Sequence, residues 1–289
     1  MAPADKTGLL ETVAAAPELR TPDRTEAFLD SLPVSELASM WCALQRVSRR
    51  DQAGSIWAIK LYFDHLPHRL PQAALDLVLE VLKTEADKPT VMQLNDKFLL
   101  ALLYAHGPDV IAQIEREAAH NGRLRWLLGG VHGDPDDPLM PRIARVADSE
   151  GWQTDHLAQR TPRKPLDCAS MSVAELARAW VEQYSKSERD QDDNLFTIMD
   201  FERDLREEDP DGMIDLILEI LNIESNPVLL ALLAAGPLED VISSGTIDRI
   251  EHEARINQRF RDLLGGVWYY RASDELKTRL DALVGESRW

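Results

Sequence analysis

Apolar residues recur along this chain at three- and four-residue spacing, the period that puts them on one face of a helix. Ile56, Ile59, Tyr62, Phe63 and Leu66 form one stripe, and Leu75, Val78, Leu79 and Leu82 form another. Phe98, Leu99, Leu102 and Leu103 predict a more apolar helix, buried at the centre of its unit. Ile214, Ile217, Leu218 and Leu221, then residues 228–235, repeat the pattern. No stretch alternates long enough to predict a strand, so the expected fold class is all-α.

The punctuation between stripes predicts helix ends. Gly107-Pro108 and Gly236-Pro237 read as a stop at glycine and a new first turn at proline. Leu238-Glu239-Asp240 then places carboxylates where a helix dipole favours them. Gly129-Gly130 and Gly265-Gly266 read as Schellman stops. Ser35 and Ser172 precede two tryptophan-bearing helices as capping residues, and Asp51 and Asp190 also stand where an N-cap belongs.

These stripes come twice. Residues 33–82 align without gaps on 172–221, with 17 of 50 positions identical. Trp41 falls on Trp180, Arg50-Asp51-Gln52 on Arg189-Asp190-Gln191, and Asp76 and Glu80 on Asp215 and Glu219. After loops of unequal length, residues 114–131 align on 250–267 with 12 of 18 identical. The expected organisation is two tandem copies of a five-to-six-helix unit, bundle-like or repeat-like. Residues 1–32 read as an N-terminal helical extension, 33–131 as the first copy, 132–171 as a Pro/Asp-rich linker with short helices, 172–268 as the second copy, and 269–289 as a C-terminal helix and tail. The polar residues shared by the copies, Glu36/Glu175 and Arg50/Arg189 among them, read as ion pairs and caps that hold the unit together.

The run Ala234-Ala235-Gly236-Pro237-Leu238-Glu239-Asp240, then Ile247-Asp248-Arg249-Ile250-Glu251 and 259–268, resembles a bacterial domain-of-unknown-function family of small helical proteins. Its pattern is AAGPLED, IDRIE and RFRxxLGGVW. The second copy matches well from Trp180 to Trp268. The first matches less closely, with His106-Gly107-Pro108-Asp109 replacing the AAGPLED run and His132 replacing Trp268. The resemblance implies helical modules, some serving as immunity-like or regulatory partners of other bacterial proteins, and it carries no catalytic residue.

Composition narrows the chemistry. With 44% hydrophobic residues the chain can build a core, and 32 Lys and Arg against 50 Asp and Glu give a formal net charge of −18. That charge argues against direct binding to nucleic acid or an anionic membrane, which needs clustered basic residues. The N-terminal MAPADKTGLLETVAAAPEL lacks a signal-peptide pattern. The apolar runs fall short of the roughly 20 residues that span a bilayer. Cys42 and Cys168 fit neither a metal-ligand spacing nor a disulfide framework. The expected compartment is the reducing cytoplasm. No hydrolase elbow, phosphate loop or metalloprotease motif is present, and no cofactor is expected. Asp64, His65 and His68 are the only local His cluster; the second copy replaces them with Arg203, Asp204 and Glu207.

The acidity is concentrated. Residues 188–224 hold fourteen acidic and three basic side chains, net −11, whereas the matched residues 49–85 are neutral. The leading expectation is a non-enzymatic interaction module. Asp192, Asp193, Asp204, Glu207, Glu208, Asp209 and Asp211 would meet a basic protein partner, toxin- or nuclease-like, as an immunity protein or inhibitor does. Trp268 and Tyr269, with Tyr270, read either as packing for the C-terminal helix or as aromatic anchors at that interface. Two alternatives stay open. One is an enzyme with carboxylates and Asp64, His65 and His68 in a groove between the copies. The other is an architectural scaffold or homo-oligomer.

Overall fold

The structure, a computed structural model, describes residues 8–15, 22–162, 164–269 and 272–284. Among them every regular element is helical and there is no strand. The chain divides into two units. One comprises residues 1–161 with 187–190, the other 162–186 with 191–289.

In the first unit, α1 (Gly8–Ala15) and α2 (Pro22–Asp30) precede the tryptophan helix α3 (Val34–Leu44). Then come α4 (Ser55–Arg69), α5 (Pro71–Thr84), α6 (Lys88–Leu94), α7 (Leu100–Ala118) and α8 (Gly122–Leu128). Ile59, Tyr62, Phe63 and Leu66 of α4 are buried, as are Leu75, Val78 and Leu82 of α5. Phe98, Leu99, Leu102 and Leu103 are buried as the stripe predicts, and Phe98 meets Trp41 edge-on at 6.4 Å. Pro67 does not end α4. It is buried in the last turn, and the break falls at Leu70, whose non-helical backbone (φ −135°, ψ 76°) leads Pro71 into α5.

The second unit repeats this order with α11 (Val173–Ser185), α12 (Asp193–Glu208), α13 (Pro210–Ile223), α14 (Pro227–Leu233), the short α15 (Glu239–Val241), α16 (Ile247–Ile256) and α17 (Gln258–Leu264). Its core gathers Trp180, Ile214, Ile217, Leu221, Leu229, Leu233, Phe260 and Leu264. Asn121 and Asn257 cap α8 and α17 at aligned positions. Arg123 and Arg259 donate to the backbone oxygens of Glu85 and Glu224, which satisfies carbonyls at the ends of α5 and α13.

Several expected helix ends differ. Gly107-Pro108 lies inside α7, which kinks at His106 (φ −138°, ψ 20°) to accommodate a proline that cannot donate or approach the preceding carbonyl. A Cβ at Gly107 would meet the terminal methyl of the Leu139 side chain, which would have to turn aside. Gly236-Pro237 sits in a π-helical turn, 234–238, rather than at a stop. Neither glycine pair forms a Schellman end: Gly129 and Gly265 keep right-handed helical angles, and tight i→i+3 bonds close the turns. At Gly129 and Gly130 the requirement is close approach, since a Cβ at Gly130 would enter the Trp152 ring. Ser172 caps α11 in a full capping box with Glu175, but Ser35 lies within α3. Asp51 and Asp190 belong to 3-10 turns. The cap of α12 is Asp192, and Gly54, at positive φ, opens α4.

Residues 132–161, within the stretch read as a linker with short helices, pack on the first unit. α9 (Met140–Val146) and α10 (Ser149–Arg160) contribute Ile143 and Trp152 to its core. Arg142 of α9 makes a two-point bond to Glu115 of α7, at 2.9 and 2.5 Å. Arg279 of α18 (Asp274–Val284) bonds Glu251 at 2.7 Å, and Glu251 is the aligned counterpart of Glu115. The repeat therefore extends one helix beyond the glycine pairs.

Candidate functional site

The second unit opens a cleft of about 180 Å³. The capping box fixes the start of α11, and Trp180 and Tyr184, one turn apart, stack at 4.2 Å on its inner side. α12, capped by Asp192, turns Glu202 inward to meet them. Trp180 Nε1 donates to Glu202 Oε1 at 2.6 Å, and the Tyr184 hydroxyl donates to Oε2 at 2.8 Å. Met199, Arg203 and Arg206 of α12, Met213 of α13, and Gly236, Pro237 and Asp240 complete the lining.

Glu202 is buried, and removal from water pushes its carboxyl up to about 7; the bonds from Tyr184 and Trp180 oppose the shift and the charge of Asp240 adds to it. Its bonded partners are neutral donors. The two nearby guanidinium groups are engaged elsewhere: Arg203 with Asp200 at 2.8 Å, and Arg206 with Asp240 at 2.9 Å.

The first unit has the same recess at the same place, reduced to about 30 Å³ and lined by Trp41, Gln45, Lys60, Phe63, Asp64 and Glu188 among others. In the ungapped alignment Phe63 stands where Glu202 does, Gln45 where Tyr184 does, and Lys60 where Met199 does. One copy thus fills with a buried ring the space that the other lines with a carboxyl.

The acidic residues singled out from the sequence do not form one patch. Asp204, Glu207, Glu208, Asp209 and Asp211 come together where α12 meets α13. Asp192 and Asp193 lie at the other end of α12, on the order of 20 Å away at 1.5 Å per residue. Asp192 is also spent on capping and on Lys186 at 3.1 Å, and Asp209 caps α13 through Gly212 N–H. Asp204, Glu207, Glu208 and Asp211 are exposed. Phe196 and Met199, both nearly half exposed, continue the outer face of α12 towards its start.

Tyr269 packs on the second core and its hydroxyl donates to Asp281 at 2.6 Å, whereas Trp268 is 72% exposed. Tyr270 and Trp289 lie outside the described residues. Asp64 pairs with Lys60 at 3.7 Å. No group of three His, Cys, Asp or Glu among the described residues is placed to hold a metal ion. Both cysteines are buried and free. Asp215 pairs with Arg249 of a neighbouring helix at 2.8 Å, while its counterpart Asp76 accepts from Gln72 on its own helix.

In the sequence alone Glu202, Tyr184 and Arg206 carry no site role, and Asp240 reads only as a first-turn carboxylate. The signal was present in the alignment: a glutamate faces a phenylalanine at a core position next to a shared tryptophan.

The model of a family of unknown function, DUF6869, matches residues 45–151 and 184–287. The chain belongs to that family, and it carries the matched unit in two tandem segments. The first segment includes α9, in keeping with its packing on the first unit. No curated protein and no solved structure matches the chain. No described helix is long and apolar enough to cross a membrane.

Proposed function

We propose that this protein is a non-enzymatic binding module that docks a basic protein partner on the α12–α13 corner of its second unit, masking that partner as an immunity protein or inhibitor does. The observation that carries this reading is the charge difference between two copies of one unit. Matched segments that share buried apolar positions differ by eleven net charges. Solubility alone does not require so uneven a distribution. The exposed carboxylates of Asp204, Glu207, Glu208 and Asp211 follow exposed Phe196 and Met199, which stand earlier on α12. Charge that steers a partner beside apolar area that holds it is the composition of a docking surface.

The test is to replace those four acids with lysine and measure binding to basic proteins encoded in neighbouring reading frames, across a range of salt. Affinity at low salt should fall at least tenfold and its salt dependence should flatten. Unchanged affinity with unchanged salt dependence refutes the reading.

A further inference from the structure

We propose that the cleft beside Glu202 is an anchor site for a lysine side chain of the docked partner, with the ammonium against the Glu202 carboxylate and the alkyl stem along Met199, Met213 and Pro237. The inference rests on the docking reading and adds the site that gives it specificity.

Three observations carry it. First, Glu202 is a buried carboxyl that accepts from two neutral donors and pairs with no cation, since Arg203 and Arg206, which line the same cleft, are held by Asp200 and Asp240. A buried acid in that position is incomplete, and a cation supplied from outside repays its desolvation. Second, a carboxylate offers about four acceptor positions, and Trp180 and Tyr184 occupy one on each oxygen. That occupancy blocks much of the edge a planar guanidinium would need, and leaves room for a compact ammonium with rotatable donors. Third, besides Arg203 and the paired Arg206 and Asp240, the walls offer the thioethers of Met199 and Met213, the Tyr184 ring and Pro237, and a Cβ added at Gly236 would meet nothing within 4 Å. An apolar stem of a few carbons therefore has surface to cover and space to lie in.

The first copy supports the assignment by contrast. There Phe63 replaces the acid and Lys60 stands at the position of Met199, so the recess is filled and carries its own ammonium. Only the second copy keeps the cleft open, and that copy also bears the acidic surface.

The groups facing Glu202 are Tyr184 on α11, Arg203 and Arg206 on its own helix, Asp240 on α15 and the Cys168 thiol of the 168–170 turn. None supplies a free positive charge. Because the carboxyl is raised by burial, ammonium binding must draw off its proton, so affinity increases as pH rises through about 7.

The test uses the full chain, with n-butylammonium as probe and n-butanol as the uncharged control, followed by titration calorimetry from pH 5.5 to 8.5. Butylammonium should bind and butanol should not, with affinity at least fivefold higher at pH 8 than at pH 6. Glu202→Gln should weaken binding tenfold or more. Glu202→Phe, which copies the first unit, should abolish it while keeping the helical spectrum. Equal binding of amine and alcohol, undiminished binding by Glu202→Gln, or no binding by the wild-type chain overturns the anchor. The fourfold lysine replacement on the outer corner separates the two readings. If it abolishes partner docking while Glu202→Gln leaves docking intact, the docking surface stands and the anchor falls. If it leaves docking intact while the probe still needs Glu202, the cleft stands and the outer surface falls.

Discussion

A carboxyl group withdrawn from water and given only neutral donors holds its proton longer than an exposed one. For Glu202 the folded-state value, about 7, lies above the ordinary carboxylate range that applies in the unfolded chain. The folded protein therefore binds more protons than the unfolded one between about pH 4.5 and 7. Its stability from this group is full below that window and declines as pH rises through it. Glu202→Gln removes the ionisation; its amide oxygen still accepts from Trp180, and its NH2 group can donate to the Tyr184 hydroxyl in place of accepting from it. Urea unfolding at several pH values should show the variant more stable than wild type at pH 8, by about 1–3 kcal/mol, with the gap closing near pH 5. Asp87 behaves oppositely. The Arg189 guanidinium, 2.8 Å away within the same unit, and the Thr90 donors hold its carboxyl far below the usual range. Its contribution is present above the ordinary carboxylate pKa and is lost on acidification. Asp87→Ala, which also uncaps α6, should cost about 1–3 kcal/mol at pH 7 in the same assay and less at low pH. Neither role was legible in one copy alone. A lone glutamate among acidic neighbours reads as a solvated charge, and the pair of Asp87 with Arg189 spans about a hundred residues of chain.

At the scale of elements, the apolar period located the helices well, because burial of a stripe is a property of the segment itself. The ends were less legible, because they depend on what packs against them. Gly130 illustrates this. Its dihedrals suit any residue, and what demands glycine is Trp152, from a segment that reads as linker. Gly130→Ala should lower the thermal midpoint by an amount equivalent to about 1–3 kcal/mol, the usual cost of overpacking in a core. Trp152→Ala alone should also destabilise. The double variant should lose less than the two single losses combined, because the clash has been removed. The serines give a second comparison. Ser172→Ala dismantles a capping box and should cost about 1 kcal/mol, whereas Ser35→Ala, inside α3, should change the midpoint little.

For the whole molecule the question is whether −18 acts as a total or as a location. The uneven charge was readable along the chain, but the fold decides which acids are neighbours. It separates Asp192 and Asp193 from Asp204, Glu207, Glu208 and Asp211 by the length of α12. Two quadruple variants distinguish total from location. Replacing Asp204, Glu207, Glu208 and Asp211 with lysine takes the formal charge from −18 to about −10, since each replacement adds two. Replacing the exposed Asp23, Glu117, Asp136 and Glu150 of the first unit gives the same total. A field set by net charge would slow association with a basic partner equally in both. A local surface would slow it only in the first, and the difference should shrink as salt shortens the screening length to about 10 Å at 0.1 M and below. Stopped-flow association rates at 20 and 200 mM salt should therefore show the second-unit variant at least tenfold slower than wild type at low salt. The first-unit variant should stay within about twofold of wild type. Equal slowing in both variants would mean that the charge of this protein serves it only as a total, and the α12–α13 corner would lose its claim to be the docking surface.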